Sequence, residues 1–180
     1  MRILLVLLMV LGAFGTADAK SKKPIHMVQG EDAVQQVVTH IAIRALGKAG
    51  FKTEIRAVAR PDLIGGLVEG DVHAHPTAFA AAYPGLMGAI QDKTIRSLGG
   101  VSTNSPDEDM LKLVWPGMKK RWPDAQKLLK RMVITVEDLA AFSEQLAAGE
   151  GPEDVAGAWW GANKKSWKPW IAASKNWMKP

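Results

Sequence analysis

Histidines are the first side chains here with reactive potential. His73 and His75 stand one residue apart in Asp71-Val72-His73-Ala74-His75, and on an extended chain alternate side chains share a face. Two imidazoles so placed are a spacing that metal sites use, with Asp71 on the same alternation and His26 as a more distant candidate. Zinc sites take three or four protein ligands, and this run offers only part of a set. The competing reading puts one histidine against a helix layer and the other near a sheet edge. No metal and no cofactor are expected. Nucleophilic chemistry has no motif here: G-x-S-x-G, a phosphate-binding glycine loop and H-E-x-x-H are all missing from the sequence. No two carboxylates stand out as an acid/base pair set apart by their surroundings. The absence of cysteine excludes disulfides, thiolate metal sites and iron–sulfur clusters. A non-catalytic protein is expected.

A second concentration of unusual side chains lies at the C-terminus. Five of the seven tryptophans (Trp159, Trp160, Trp167, Trp170 and Trp177) fall in the last 22 residues, interleaved with Lys164, Lys165, Lys168, Lys175 and Lys179. Tryptophan and lysine suit the headgroup zone of a membrane. They equally suit two amphipathic helices that bury the rings while lysine stems cover the rim. The spacing favours packing, because the rings recur as in a helix-turn-helix rather than along one continuous apolar face.

The elements that must position these groups follow from periodicity. Ile25-His26-Met27-Val28 reads as a buried strand ended by Gln29-Gly30. Glu31 and Asp32 then favour a helix start, and Val34, Val37, Val38, Ile41, Ala45 and Leu46 form one apolar stripe. Gly47 and Gly50 are expected to end that helix. Thr53 to Val58 alternates as a second strand; Pro61 opens a helix carrying Leu63, Ile64, Leu67 and Val68 to Gly70. Val72 to His75 reads as a third strand, broken at Pro76. Strands alternating with helices imply an α/β fold with a parallel sheet and right-handed crossovers. Ligands of such sheets gather at the carboxyl ends of the strands, here Gln29-Gly30 and His75 to Phe79. Beyond that, Thr94–Leu98 and Leu111–Trp115 are strand candidates around the turn residues Asn104-Ser105-Pro106-Asp107. Helices follow: Pro123 to Lys130, one capped by Thr135-Val136-Glu137-Asp138, and one opened by Pro152.

The N-terminus has Arg2, the apolar run Ile3 to Leu11, and Ala17-Asp18-Ala19. This is the grammar of a secretory signal cleaved after Ala19, and the expected location is the periplasm. At 180 residues, with 23 Lys+Arg against 18 Asp+Glu and mean hydropathy near zero, the chain is neither a polytopic membrane protein nor wholly disordered. Its basic residues form no recognisable nucleic-acid module, and no nucleic-acid partner is expected.

Taken together, these residues resemble a family: the periplasmic substrate-binding proteins of glycine betaine/proline betaine ABC transporters. Gly70 to Phe79 is similar to the segment in which a G-D-hydrophobic-D strand leads through H-P-E to a ligand-contacting tryptophan. Leu113 to Trp115, Pro116-Gly117, Trp122-Pro123-Asp124-Ala125, Ile134 to Leu139, Pro152 to Ala156, Trp159 and Trp170 follow the order of its closing helices. The resemblance runs through two blocks, roughly 25–103 and 109–172, and implies that residues 20–180 form a single lobe of a periplasmic-binding-protein-like fold. That lobe would have a mostly parallel sheet flanked by helices and a helical, Trp-rich C-terminus. The family is two-lobed; here the middle section is missing and Asn104 to Asp107 bridges the gap. The implied ligand-binding residues are Phe79, where the cage tryptophan is expected, Tyr83, His75, Gln29, Gly30 and Glu31. The implied partners are a betaine-like osmolyte, an inner-membrane ABC permease, and a second copy or other surface completing the missing lobe. The alternative is a ligand-less interaction protein using the exposed lobe face and the Trp/Lys tail against a protein or membrane.

Overall fold

The computed structural model describes residues 23–102 and 110–172; the N-terminal signal expectation, Asn104 to Asp107 and Trp177 lie outside them. Strands β1 (Ile25–Val28), β2 (Thr53–Arg56), β3 (Ala74–Phe79), β4 (Arg96–Gly100) and β5 (Met110–Val114) form one sheet in the order β2-β1-β3-β5-β4. β1 pairs in parallel with β2 and β3, while β5 runs antiparallel to both β3 and β4. The mixed α/β lobe expected from the sequence is present, with β5 as the reversed strand.

Period two sorts the strand side chains. Ile25 and Met27 point into one hydrophobic cluster and Val28 into the other. The first cluster lies under α1 (Ala33–Lys48), α5 (Pro123–Arg131), α6 (Val136–Ala147), α7 (Pro152–Ala162) and α8 (Lys164–Ala172). The second lies under α2 (Leu63–Glu69) and α3 (Leu86–Gln91). A short helix, α4 (Met118–Arg121), links β5 to α5. The apolar stripe of α1 is buried as expected: Val37, Val38, Ile41, Ala45 and Leu46 are wholly enclosed. The helix runs through Gly47, and the left-handed residue that follows its end is Gly50, at φ +82°. α6 starts on the expected capping box, Thr135 with Asp138.

One expectation is corrected. The third strand does not break at Pro76; it begins at Ala74 and continues to Phe79. β1 meets β3 only at Met27–Ala74, so past that point the flank of β3 has no β1 partner, and the β3–β5 register shifts between His75 and Ala78. A proline without an N–H is tolerated at such a place. The tryptophans of α7 and α8 form core, the reading that their spacing favoured. Trp159, Trp167 and Trp170 are buried; Trp159 stacks on Trp170 at 5.9 Å and Trp160 on Trp167 at 4.2 Å. α7 and α8 both pack on α1, which carries the tail back onto the early strands.

Candidate functional site

The sheet order places a crossover reversal between β1 and β3: α1 leaves β1 over one face and α2 enters β3 over the other. A crevice opens outside the carboxyl ends of strands at such a reversal. Here it is a cleft of about 210 Å³ lined by Glu31, Asp32, Gln35, Arg60, Phe79, Ala82 and Tyr83. A larger open depression of about 480 Å³ lies between Ala57–Ala59 and α2, but no aromatic ring lines it.

The floor of the cleft is set by the first turn of α1. Asp32 caps the helix by accepting from the Gln35 amide at 2.8 Å, and Gln35 Oε1 reaches back to the Glu31 amide at 2.7 Å. This reciprocal cap fixes the backbone of Glu31 at the strand-to-helix turn. Gly30 makes the turn sterically possible: a Cβ there would lie 2.1 Å from Gln35 Cβ and 2.9 Å from Thr77 Oγ1. Gly30 is thus a close-approach glycine that lets α1 settle against β3, and it does not itself line the cleft.

Arg60 closes one side. Its guanidinium donates through Nε to Glu31 Oε1 at 2.9 Å and through Nη2 to Glu31 Oε2, a two-point ion pair. The hydrogen bond from Arg60 holds the Glu31 carboxyl below the ordinary carboxylate range. Both side chains are about half exposed, so the pair presents one negative and one positive charge to solvent within one small space.

Phe79 ends β3 half-buried, and Tyr83 follows the 3-10 turn Ala80–Ala82. Tyr83 is held from behind by His75. The Thr77 amide donates to His75 Nδ1 at 3.3 Å, so the proton of the neutral ring sits on Nε2, which faces Tyr83 Oη at 3.2 Å. Burial pushes the His75 pKa down to about 4, keeping this ring neutral at ordinary pH, and burial raises that of Tyr83. With His75 donating to it, the tyrosine hydroxyl keeps its own proton to give to another acceptor.

Of the six residues expected at the site, Glu31, Phe79 and Tyr83 line one cleft. His75 stands behind it, Gly30 beneath it, and Gln29 is half-buried at the strand exit without lining it. Arg60 escaped the sequence reading. Its signal was positional: Ala59-Arg60-Pro61 leaves the carboxyl end of β2 on the same edge of the sheet as the loops after β1 and β3.

The histidine pair does not form a joint site. The strand starts one residue after His73, so the two rings escape the alternation that would align them. His73 packs edge-on against Trp122 at 4.7 Å, and its Nδ1 accepts from the His26 amide at 2.8 Å. His75 turns to the opposite cluster with Tyr83. Among the described residues no three His, Asp or Glu side chains converge to hold a metal.

A family model for the substrate binding domain of ABC-type glycine betaine transport systems matches residues 88–162, from α3 through α7. The matched span takes in β4, β5 and α4 to α7, stops before α8, and leaves the cleft residues outside it. Three solved structures share the fold. An ABC-transporter choline-binding protein in complex with choline has 12% identity and a TM-score of 0.69, with 88% of this chain and 99% of that chain covered. Lactococcal OpuAC, in a closed-liganded conformation with glycine betaine, has 13% identity and a TM-score of 0.66, covering 83% and 99%. A glycine/betaine/L-proline-binding protein from Borrelia burgdorferi has 9% identity and a TM-score of 0.65, covering 84% and 100%. The resemblance read from the sequence therefore reappears independently in the family match and in the fold.

Proposed function

We propose that this chain is the non-catalytic solute-binding component of an ABC-type osmolyte uptake system, taking a betaine-like zwitterion or quaternary ammonium compound in the cleft between β1 and β3. The observation that carries the reading is the composition of that cleft. An aromatic pair, Phe79 and Tyr83, stands beside the opposed charges of Glu31 and Arg60 at the carboxyl edge of the sheet. A quaternary ammonium donates no hydrogen bond, so aromatic faces and a carboxylate are the means of holding it. The carboxylate of a zwitterion matches Arg60. An ion pair this exposed is weakly held in water and exchanges for ligand charges at little cost.

The magnitudes argue for weak binding by the isolated chain. Each aromatic face contributes about 0.5–2 kcal/mol, depending on desolvation, whereas micromolar affinity requires about 8 kcal/mol. The lobe supplies one wall of a cage; the permease, a second copy or another partner surface supplies the rest. Export through the N-terminal signal, with cleavage after Ala19 and residence in the periplasm, fits this role and rests on the sequence of residues 1–19.

Titration calorimetry with glycine betaine, choline and carnitine at millimolar concentration tests the proposal. The expected result is weak, saturable heat that Phe79→Ala and Tyr83→Ala both reduce. No heat with any of the three, with candidate partner present as well as without it, would sink the reading.

A further inference from the structure

The charges of the helical layer are divided between two sets of helices. α4 carries Lys119, Lys120 and Arg121 with no acid. α5 carries Lys127, Lys130 and Arg131 against a single Asp124, and α8 carries Lys164, Lys165 and Lys168 with no acid. α5 touches both α4 and α8, so the three basic helices are neighbours. The neighbouring helices carry the opposite sign: α6 has Glu137, Asp138 and Glu144, α7 has Glu153 and Asp154, and neither has a basic residue.

All of these cations except Arg121, which lies over the Trp122 ring at 4.7 Å, are exposed. Among the described residues only Lys127 has an ion-pair partner, Asp124 at 3.5 Å. The tryptophans of α8 face inward, so the outer surface is cationic without an apolar wedge. None of these residues lines the cleft.

We propose that α4, α5 and α8 form a docking surface for an anionic lipid membrane, on which the protein adsorbs by charge alone. A cluster of this many basic residues on one helical surface suits acidic headgroups. The choice of lysine over arginine favours a fluid array of anions over a shaped partner. Lysine is a strongly hydrated point charge on a flexible stem, whereas fixed two-point recognition selects arginine. The acids of α6 and α7 are repelled by the same headgroups, which favours contact through the basic helices. The inference does not depend on what the cleft holds.

Sedimentation of the full chain with phosphatidylcholine vesicles, with and without phosphatidylglycerol, tests it. Binding is expected only to the anionic vesicles and should weaken steeply as salt rises towards 0.5 M, where charges are screened within roughly 5 Å. The variant Lys119→Glu/Lys120→Glu/Lys164→Glu/Lys165→Glu should lose at least about ten-fold in partitioning. Its Lys→Gln counterpart should fall between, and both should unfold at the temperature of the unmodified chain. Binding that survives on neutral vesicles or in the reversed variant would belong to another part of the chain, the apolar run Ile3 to Leu11 included, and overturns the proposal. So does binding to poly-glutamate without vesicle binding, which would assign the surface to an acidic protein. Salt-sensitive self-association without vesicle binding would pair the basic helices with the acidic ones of a second copy, and overturns it too.

Discussion

Acidification should destabilise this protein well before its carboxylates are protonated, because two of its histidines are buried uncharged. His73 and His75 are 5% and 1% exposed, and each uses Nδ1 to accept a backbone N–H, His26 in one case and Thr77 in the other. Burial, the leading cause for both, lowers their pKa from 6.5 to about 4. In the unfolded chain both return to the ordinary value, so between pH 6.5 and about 4 the unfolded state holds more protons than the native one. Stability is then fully present above pH 6.5 and is lost as pH falls through that window. At pH 5 each ring costs about 2 kcal/mol relative to pH 8, and the two together about 4 kcal/mol. Lowered carboxylate pKa values, such as that of Glu31, come into play from about pH 4.5 downward, so the fall between pH 6.5 and pH 5 belongs mainly to the histidines. Urea unfolding at pH 8, 6.5 and 5, followed by tryptophan fluorescence, measures the effect, and His75→Gln should roughly halve the slope. An unfolding midpoint that is the same at pH 8 and pH 5 would refute the reasoning.

Lys112 provides the alkaline counterpart. It is buried, donates to the carbonyls of Lys130 and Met132 at the end of α5, and burial lowers its pKa to about 8. The unfolded chain therefore holds its proton longer, and stability should rise by about 2 kcal/mol from pH 7 to pH 9.5, a rise that Lys112→Met removes in the same urea assay. Gly30→Ala should cost about 1–3 kcal/mol by forcing its Cβ into Gln35, read as a lower thermal midpoint together with weaker ligand heat. Phe79→Ala and Tyr83→Ala should each weaken quaternary ammonium binding by roughly 2- to 30-fold in titration calorimetry. Trp159→Ala should cost about 3–5 kcal/mol in urea unfolding, since it removes the stack on Trp170 and the indole hydrogen bond to Asp138.

Elements with strong periodicity were legible in the sequence, and those governed by pairing were not. The α1 stripe, the Thr135 capping box and the helix openings at Pro61, Pro123 and Pro152 depend on neighbours within a turn or two. The course of β3 depends on where β1 stops: Pro76 reads as a breaker only while a hydrogen-bonding partner is assumed on that flank. His73 and His75 were aligned for a different reason: the strand begins only at Ala74, so His73 lies outside its alternation. That Glu31, Phe79 and Tyr83 lie at one edge was legible because the carboxyl-end rule and the resemblance both pointed there. Arg60 was not, because its role arises from β2 lying beside β1, a long-range fact that no local pattern carries. The tail tryptophans were ambiguous by type and settled by burial.

The junction between β4 and β5 bears directly on affinity. Only nine residues separate Gly100 from Met110, and the two strands are antiparallel neighbours. Nine residues reach about 30 Å at full extension and suffice for a loop between paired strands, whereas an inserted lobe with its own core takes about 50 residues or more. No second lobe can therefore be threaded in at this point, and under the proposed function a ligand in the cleft keeps one face towards water until a partner covers it. Water weakens both contributions that hold a quaternary ammonium, the aromatic contact and the attraction to Glu31. A surface that shuts the cleft should strengthen both at once. Binding should then be cooperative with that partner, and by linkage the ligand should raise the partner's affinity by the same factor. Under the proposed function, such a chain presents solute to a second surface rather than storing it.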